Sequence, residues 1–181
     1  MNVQPSAAPP LQRGWYLDDA VAGQAMRHPG GRTIGHDEHA RLAWLTDNAS
    51  DVHGDAHRSA HGPFGQPLVL GALTVAVVIG LAEPAGALPS QVVRSAPSGW
   101  SRISLSRPVL PGDTLSAVSL VSAVRRDPDG MGGLVERVVE GRNQRSEVVV
   151  CIHDQRWAPS RPVSEPGRPP IPLRGTGTKD C

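Results

Sequence analysis

The sequence predicts an α+β domain in which one antiparallel β-sheet wraps around a single buried α-helix. Three observations point there. The run Val69–Ala82 is apolar on every side, which marks a helix enclosed by a core rather than one lying on a surface. The chain beyond it changes to short runs rich in Val, Ile, Leu, Ser and Thr, separated by turn signals. One apolar helix followed by several turn-linked strands is most simply packed as a sheet around that helix.

The elements follow in order. Met1–Arg13 is rich in Pro, Ala and Gln and is expected to be a disordered tail. Trp15-Tyr16-Leu17 is a short strand candidate. Thr33 begins a segment with Asp37 and Glu38 early and Leu42, Trp44 and Leu45 later. Acidic residues in a first turn followed by an apolar stripe describe the start of an amphipathic helix. The buried helix comes next and is ended by Glu83-Pro84. Strands are expected at Gln91–Ala96, Trp100–Val109, Thr114–Arg126, Leu134–Glu140 and Ser146–His153. Between them lie Pro97-Ser98-Gly99, Pro111-Gly112-Asp113, Asp127-Pro128-Asp129-Gly130 and Gly141-Arg142-Asn143, each a turn signal. Residues 158–181 carry repeated Pro, Gly and Arg with few large apolar side chains, and form a second expected tail. One domain is thus expected over 14–157, and no internal repeat is visible.

Composition excludes several classes. The formal net charge is +1 and the basic residues are scattered arginines with one lysine, Lys179, so neither nucleic acid nor an anionic membrane is indicated. With only Cys151 and Cys181, there is no disulfide framework and no metal-finger spacing. The start of the chain has neither a basic flank nor an apolar run, so no signal peptide is expected. The longest apolar run, Leu68 to Ala82, is shorter than the ~20 residues of a membrane span. A cytoplasmic protein is the expectation.

The most informative stretch is Thr46 to Leu81. Asn48 and His53 lie five residues apart, just upstream of Phe64-Gly65-Gln66-Pro67, and the apolar helix opens at Gly71. A polar pair, a Pro-ended loop and a glycine in the first turn of a buried helix are parts of a site that polarises a carbonyl. Histidine exchanges protons near neutral pH. Unpaired N–H groups at a helix start favour developing negative charge, and glycine lets a ligand approach them. Against this stand plainer readings: a loop histidine with a structural hydrogen bond, and a glycine that lets the helix pack closely on a strand.

The pattern resembles the hydratase/dehydratase motif of the MaoC-like, (R)-specific enoyl-CoA hydratase family of hotdog-fold proteins. The family pattern has an Asp, a His five residues on, a loop ending in Pro, and a Gly four residues past it; here these are Asn48, His53, Pro67 and Gly71. Three further likenesses occur in the same order as in the family: Gly31-Arg32-Thr33-Ile34, Pro108-Val109-Leu110-Pro111-Gly112-Asp113-Thr114-Leu115, and Asn143-Gln144 before Val148-Val149-Val150. The resemblance implies a hotdog fold, at least a dimer, and reversible addition of water to an acyl thioester carried by CoA or a carrier protein. It implies His53 as acid/base, Gly71 as oxyanion donor, and substrate contacts from Phe64, Pro67, Val69 and Leu70. It implies no metal and no cofactor. Two departures stand out: Asn48 replaces the usual Asp, and Ile79 stands where some relatives carry serine. An amide orients water or substrate but accepts no proton. A cyclase or isomerase using the same pocket therefore stays open, as does a non-catalytic acyl-binding partner subunit.

Other candidates carry plainer readings. His53, His57 and His61 recur every four residues, but Gly54 and Gly62-Pro63 bracket them, which favours a solvated face over a zinc site. Asp47, Asp51 and Asp55 surround the motif and are expected to be solvated, although any of them could stand in for the missing aspartate. Ser59 and Cys151 lie in no recognisable nucleophile motif. Pro111-Gly112-Asp113 reads as a turn in which Gly supplies positive φ. Arg94, Arg102, Arg107, Arg125 and Arg126 are the candidates for a phosphate contact, and the sequence does not choose among them.

Overall fold

The computed structural model describes residues 16–82 and 99–161. The expected strand at Gln91–Ala96, the helix stop at Glu83-Pro84, and most of both expected tails lie outside these residues. Six strands form an antiparallel sheet: β1 (Ala25–Arg27), β2 (Arg32–Thr33), β3 (Gly99–Leu105), β4 (Thr114–Arg126), β5 (Gly132–Arg142) and β6 (Val148–Pro159). Their order is β1-β4-β5-β6-β3, with β2 paired to β4. Four helices precede the main strands: α1 (His36–Leu45), α2 (Asp51–Gly54), α3 (Ala56–Ala60) and α4 (Gly71–Ala82). Helix α4 packs on β4, β5 and β6. Val77, Val78 and Ala82 of α4 meet Ala117, Val139, Val150 and Ile152 in one hydrophobic core. This is the helix-in-sheet arrangement of a hotdog fold.

The three long strands fall where the runs between turn signals place them, and β4 spans Thr114–Arg126 as expected. Strands β5 and β6 run further than expected. Gly141, read as part of a turn, lies inside β5. A Cβ there would come within 2.4 Å of Val78 Cγ2 and 2.6 Å of Val150 Cγ1, so the glycine makes room for α4 on the sheet. The turn itself falls later. Asn143 Oδ1 accepts from the backbone N–H of Arg145 and of Glu147, each at 3.0 Å, and Ser146 takes a φ of 63°.

The Pro111-Gly112-Asp113 segment is a turn, with Gly112 at φ 94°. Asp113 Oδ2 accepts from Leu110 N at 2.9 Å, and Gln144 Nε2 donates to Asp113 Oδ1 at 2.6 Å. Gln144 Oε1 in turn accepts from Thr114 N at 3.0 Å. Two of the sequence motifs therefore fasten one another across the sheet, and their role is structural.

Four readings need correction. Leu17–Asp19 forms one turn of 3-10 helix, not a strand, because Asp19 Oδ2 accepts from Tyr16 N at 3.0 Å and closes the turn locally. In α1 the inward face is His39 and Ala43, with Leu42 packed beside them, while Trp44 is 82% exposed and Leu45 72%. Helix α4 is buried on one face only: Ala72, Ala76 and Gly80, spaced one turn apart, are exposed. The fold also continues past 157. Ala158 is buried in β6, and Arg161 donates from its backbone to Asp18 Oδ2 at 2.7 Å and lies 4.6 Å from the centroid of the Tyr16 ring.

A buried polar cluster closes the far end of the sheet. Arg137 Nε donates to Asp154 Oδ2 at 2.7 Å, and Arg137 Nη1 caps the last carbonyl of α4, Ala82 O, at 3.1 Å. His28 is buried beside it, hydrogen-bonded to Ser119 Oγ. Burial, and next the charges of Arg137 and Arg156, push the His28 pKa down to about 4. The unfolded chain takes up this proton near pH 6.5, the folded chain only near 4. Between those values the unfolded state binds more protons, so stability falls as pH falls and is flat above that window. Unfolding by denaturant at pH 7.5 and 4.5 should show a loss of roughly 3 kcal/mol from this group. In His28→Gln most of that loss should disappear; an unchanged pH slope would contradict the assignment.

Candidate active site

The site is built at the end of α1 and the loop that leads to α4. Helix α1 starts at Gly35, whose N–H donates to Glu38 Oε1 at 3.0 Å. It ends where Thr46 Oγ1 donates to Leu42 O at 2.7 Å and Asp47 turns the chain at φ 50°. Asn48 follows, held by its backbone N–H to Ala43 O at 2.9 Å. Its side-chain Oδ1 accepts from Ser50 N at 3.2 Å, an Asx turn that leads into α2. The Asn48 amide nitrogen supplies two donors and no proton acceptor.

His53 sits on α2 and is half-buried. Its Nδ1 lies 2.8 Å from Leu68 O. A carbonyl oxygen only accepts, so Nδ1 carries the proton and Nε2 is left with the lone pair of a base. Leu68 is held from both sides, because its own N–H donates to Val52 O at 2.9 Å. The end of the Pro67 loop is thus fixed to α2, and with it the approach to Gly71. A second histidine, His39, is buried under the pair, its ring centroid 6.1 Å from that of His53. Burial first, and then the nearby His53 and His36, hold its pKa below the ordinary histidine value, against the opposing effect of its bond to the His53 backbone.

An open pocket of about 500 Å³ is lined by Asn48, His53, His39, Asp47, Asp37 and Pro67 among others. That volume suits a small organic substrate. Asn48, His53 and Pro67 therefore share one cavity. Gly71 opens α4 but is not among the lining residues. Nor are the other residues expected to touch substrate: Val69 and Leu70 lie in the hydrophobic core and Phe64 is exposed. A Cβ on Gly71 would meet only Leu105 Cδ1, at 2.5 Å, the tip of an exposed side chain. Close packing alone thus places a weak demand for glycine there.

Of the three neighbouring carboxylates, two are engaged elsewhere. Asp51 pairs with Arg58, and Asp55 accepts from Arg58 N at 2.9 Å as the cap of α3. Asp47 lines the pocket. His57 and His61 are exposed, their rings 5.0 Å apart, and among the described residues no group of three or more potential ligands is placed to hold a metal ion. Ser59 donates to Asp51 O at 3.1 Å. Among the phosphate candidates, Arg125 pairs with Glu136 at 3.0 Å, Arg126 with Asp18 at 2.7 Å, and Arg107 with Glu147 at 3.8 Å. Arg102 donates to Ser104 Oγ at 3.2 Å, and Arg94 lies outside the described residues.

The family model of the MaoC like domain matches residues 19–140, spanning α1, the pocket loop, α4 and most of β5. The chain belongs to the MaoC-like family. Solved structures share the fold of this MaoC-like chain. A monoamine oxidase regulatory protein from Archaeoglobus fulgius is 24% identical, with a TM-score of 0.69 over 84% of this chain and 99% of that one. A MaoC-like dehydratase from Rhodospirillum rubrum is also 24% identical, with a TM-score of 0.69 over 83% and 100%. The (R)-hydratase of A. caviae involved in PHA biosynthesis is 23% identical, with a TM-score of 0.56 over 75% and 95%. No curated protein matches the chain. At these identities the structures establish the fold of the MaoC-like chain, and its chemistry rests on its own residues. His39 was not singled out from the sequence. Its position four residues before Ala43, on the inward face of α1, is the signal that would have found it.

Proposed function

We propose that this MaoC-like protein is a hydratase/dehydratase that adds water to, or removes it from, an acyl thioester carried by CoA or a carrier protein. One observation carries the reading: His53, tied through Nδ1 to Leu68 O and so left with the lone pair on Nε2, lines a pocket together with Asn48. In the hydration direction His53 Nε2 takes a proton from water as its oxygen bonds to C3 of the enoyl group. The electron pair of the C2=C3 bond moves toward the thioester carbonyl, and the imidazolium then returns the proton to C2. Backbone N–H groups at the start of α4, Gly71 foremost, stabilise the charge that builds on the thioester oxygen. Asn48 orients water or the acyl group as a donor. We assign the enzyme to the cytoplasm, in a specialised acyl pathway, as at least a dimer. Strand β3 supports the dimer: among the described residues it ends the sheet, and it exposes Trp100, Ile103 and Leu105.

Asn48 also favours a second reading, because its oxygen is engaged by Ser50 and its amide accepts no proton. In that case the pocket serves a cyclase or isomerase, or an acyl-binding subunit without turnover. Asn48→Asp distinguishes the two when assayed beside the parent on a panel of enoyl and hydroxyacyl thioesters of CoA and carrier protein. For a hydratase, the parent is active and the variant gives the same product at a higher rate. A product that switches from parent to variant supports the cyclase or isomerase. Activity confined to Asn48→Asp would end the hydratase reading.

A further inference from the structure

The mechanism uses one histidine of the pocket and leaves the other without a part. His39 is 3% exposed, and both of its ring nitrogens meet backbone. Nε2 lies 3.0 Å from His53 O, and Leu70 N lies 3.4 Å from Nδ1. A carbonyl oxygen accepts and an amide N–H donates, so Nε2 carries the proton and Nδ1 the lone pair. The ring is neutral and held in one tautomer. It has no nitrogen left for substrate, so it is not itself an acid or base in the reaction.

We propose that His39 is a positioning residue, a neutral crosspiece that sets the backbone of His53 against the residue that opens α4. The proposal rests on the hydratase reading and deepens it. His39 comes from α1, His53 from α2, and Leu70 directly precedes Gly71. His53 reaches the same loop through Leu68 O, so two bonds from different helices fix residues 68 and 70 relative to residue 53. The base at His53 Nε2 and the N–H groups at the start of α4 act on opposite ends of one conjugated thioester, and their separation must be held. Displacement of a catalytic group by about 1 Å can cost up to about 10²-fold in rate.

The test uses the full chain with His39→Leu and His39→Gln, assayed on the best thioester of the panel, with thermal melts of each protein. Nitrogen NMR of the histidine rings is recorded on the parent. The Leu variant should lose roughly 10- to 10²-fold in kcat per folded enzyme while KM stays within a few fold. The Gln variant, whose amide can again donate to His53 O, should recover most of that loss. NMR of the parent near pH 7 should show His39 neutral and protonated on Nε2. A residue that only fills the core predicts the reverse order, with Leu equal to or better than Gln in kcat and differences confined to the melts. That order, or a His39 ring in the other tautomer, would overturn the proposal. If the Leu variant fails to fold, the Gln variant and the NMR signature still decide. A parent with no turnover sinks the hydratase reading and with it this role for His39, whereas the NMR signature separately reports whether the crosspiece exists.

Discussion

His53→Ala is expected to lower turnover by ~10²–10⁴, the usual contribution of a positioned acid/base, while thioester affinity changes little. The site gives no second group a clear share of the proton. Asn48 is an amide, and His39 has both nitrogens committed to backbone. Two carboxylates, Asp37 and Asp47, line the same pocket, whereas Asp51 and Asp55 serve Arg58. Stability should fall only modestly, because His53 is half-buried and the lost bond to Leu68 O is one of two holding that residue. Steady-state kinetics and a direct binding measurement on the same preparation check both halves of this expectation. A loss of affinity equal to the loss of rate would make His53 a binding residue instead.

Gly141→Ala is expected to be strongly destabilising, because its methyl would fall between α4 and the sheet. The added Cβ would fall 2.4 Å from Val78 Cγ2, 2.6 Å from Val150 Cγ1 and 3.1 Å from Val78 Cγ1. Both valines are fully buried, Val78 has one strongly preferred χ1 on its helix, and Val150 is hemmed in on β6. Neither can turn away, so α4 itself must lift from the sheet. Overpacking of this kind costs about 3 kcal/mol, which lowers Tm by roughly 6–12 °C in a domain of this size. Gly71→Ala, at the other end of the same helix, is the control. Its methyl meets only the flexible end of the Leu105 side chain, which can change rotamer without moving α4, so Tm should move less. Melting curves of the two variants side by side test this; equal losses would mean that the helix–sheet spacing is not set at Gly141.

Much of this was legible in the sequence, for identifiable reasons. Strand β4 reads directly because a long run rich in Val, Leu, Ser and Ala is bounded by turn signals at both ends, with Leu115, Ala117 and Val121 turned to the core. Asn48 and His53 could be paired because one short loop carries both. Other features resisted reading for physical reasons. Strands β1 and β2 are three and two residues long, and their pairing with β4 is a tertiary contact with no local period. Gly141 looked like a turn residue because a close helix–strand approach and a turn both call for glycine. In α1 the apolar Trp44 and Leu45 suggested the inward face, whereas that face carries a histidine. His39 is polar by type and core by position, and it becomes interpretable only once its two backbone partners, far apart in sequence, are brought to it. The open face of α4 was equally hidden, since alanine and glycine score as apolar whether or not anything covers them.

What the unmodified protein does to an enoyl thioester is the most direct test of a hydratase. Incubated with enoyl-CoA and enoyl carrier-protein substrates in water labelled with heavy oxygen, it should yield a 3-hydroxyacyl thioester. The product should carry one labelled oxygen at C3, and the labelled product should be nearly abolished in His53→Ala. Recovery of unlabelled starting thioester from every substrate, or equal labelling by parent and His53→Ala, would contradict the hydratase reading.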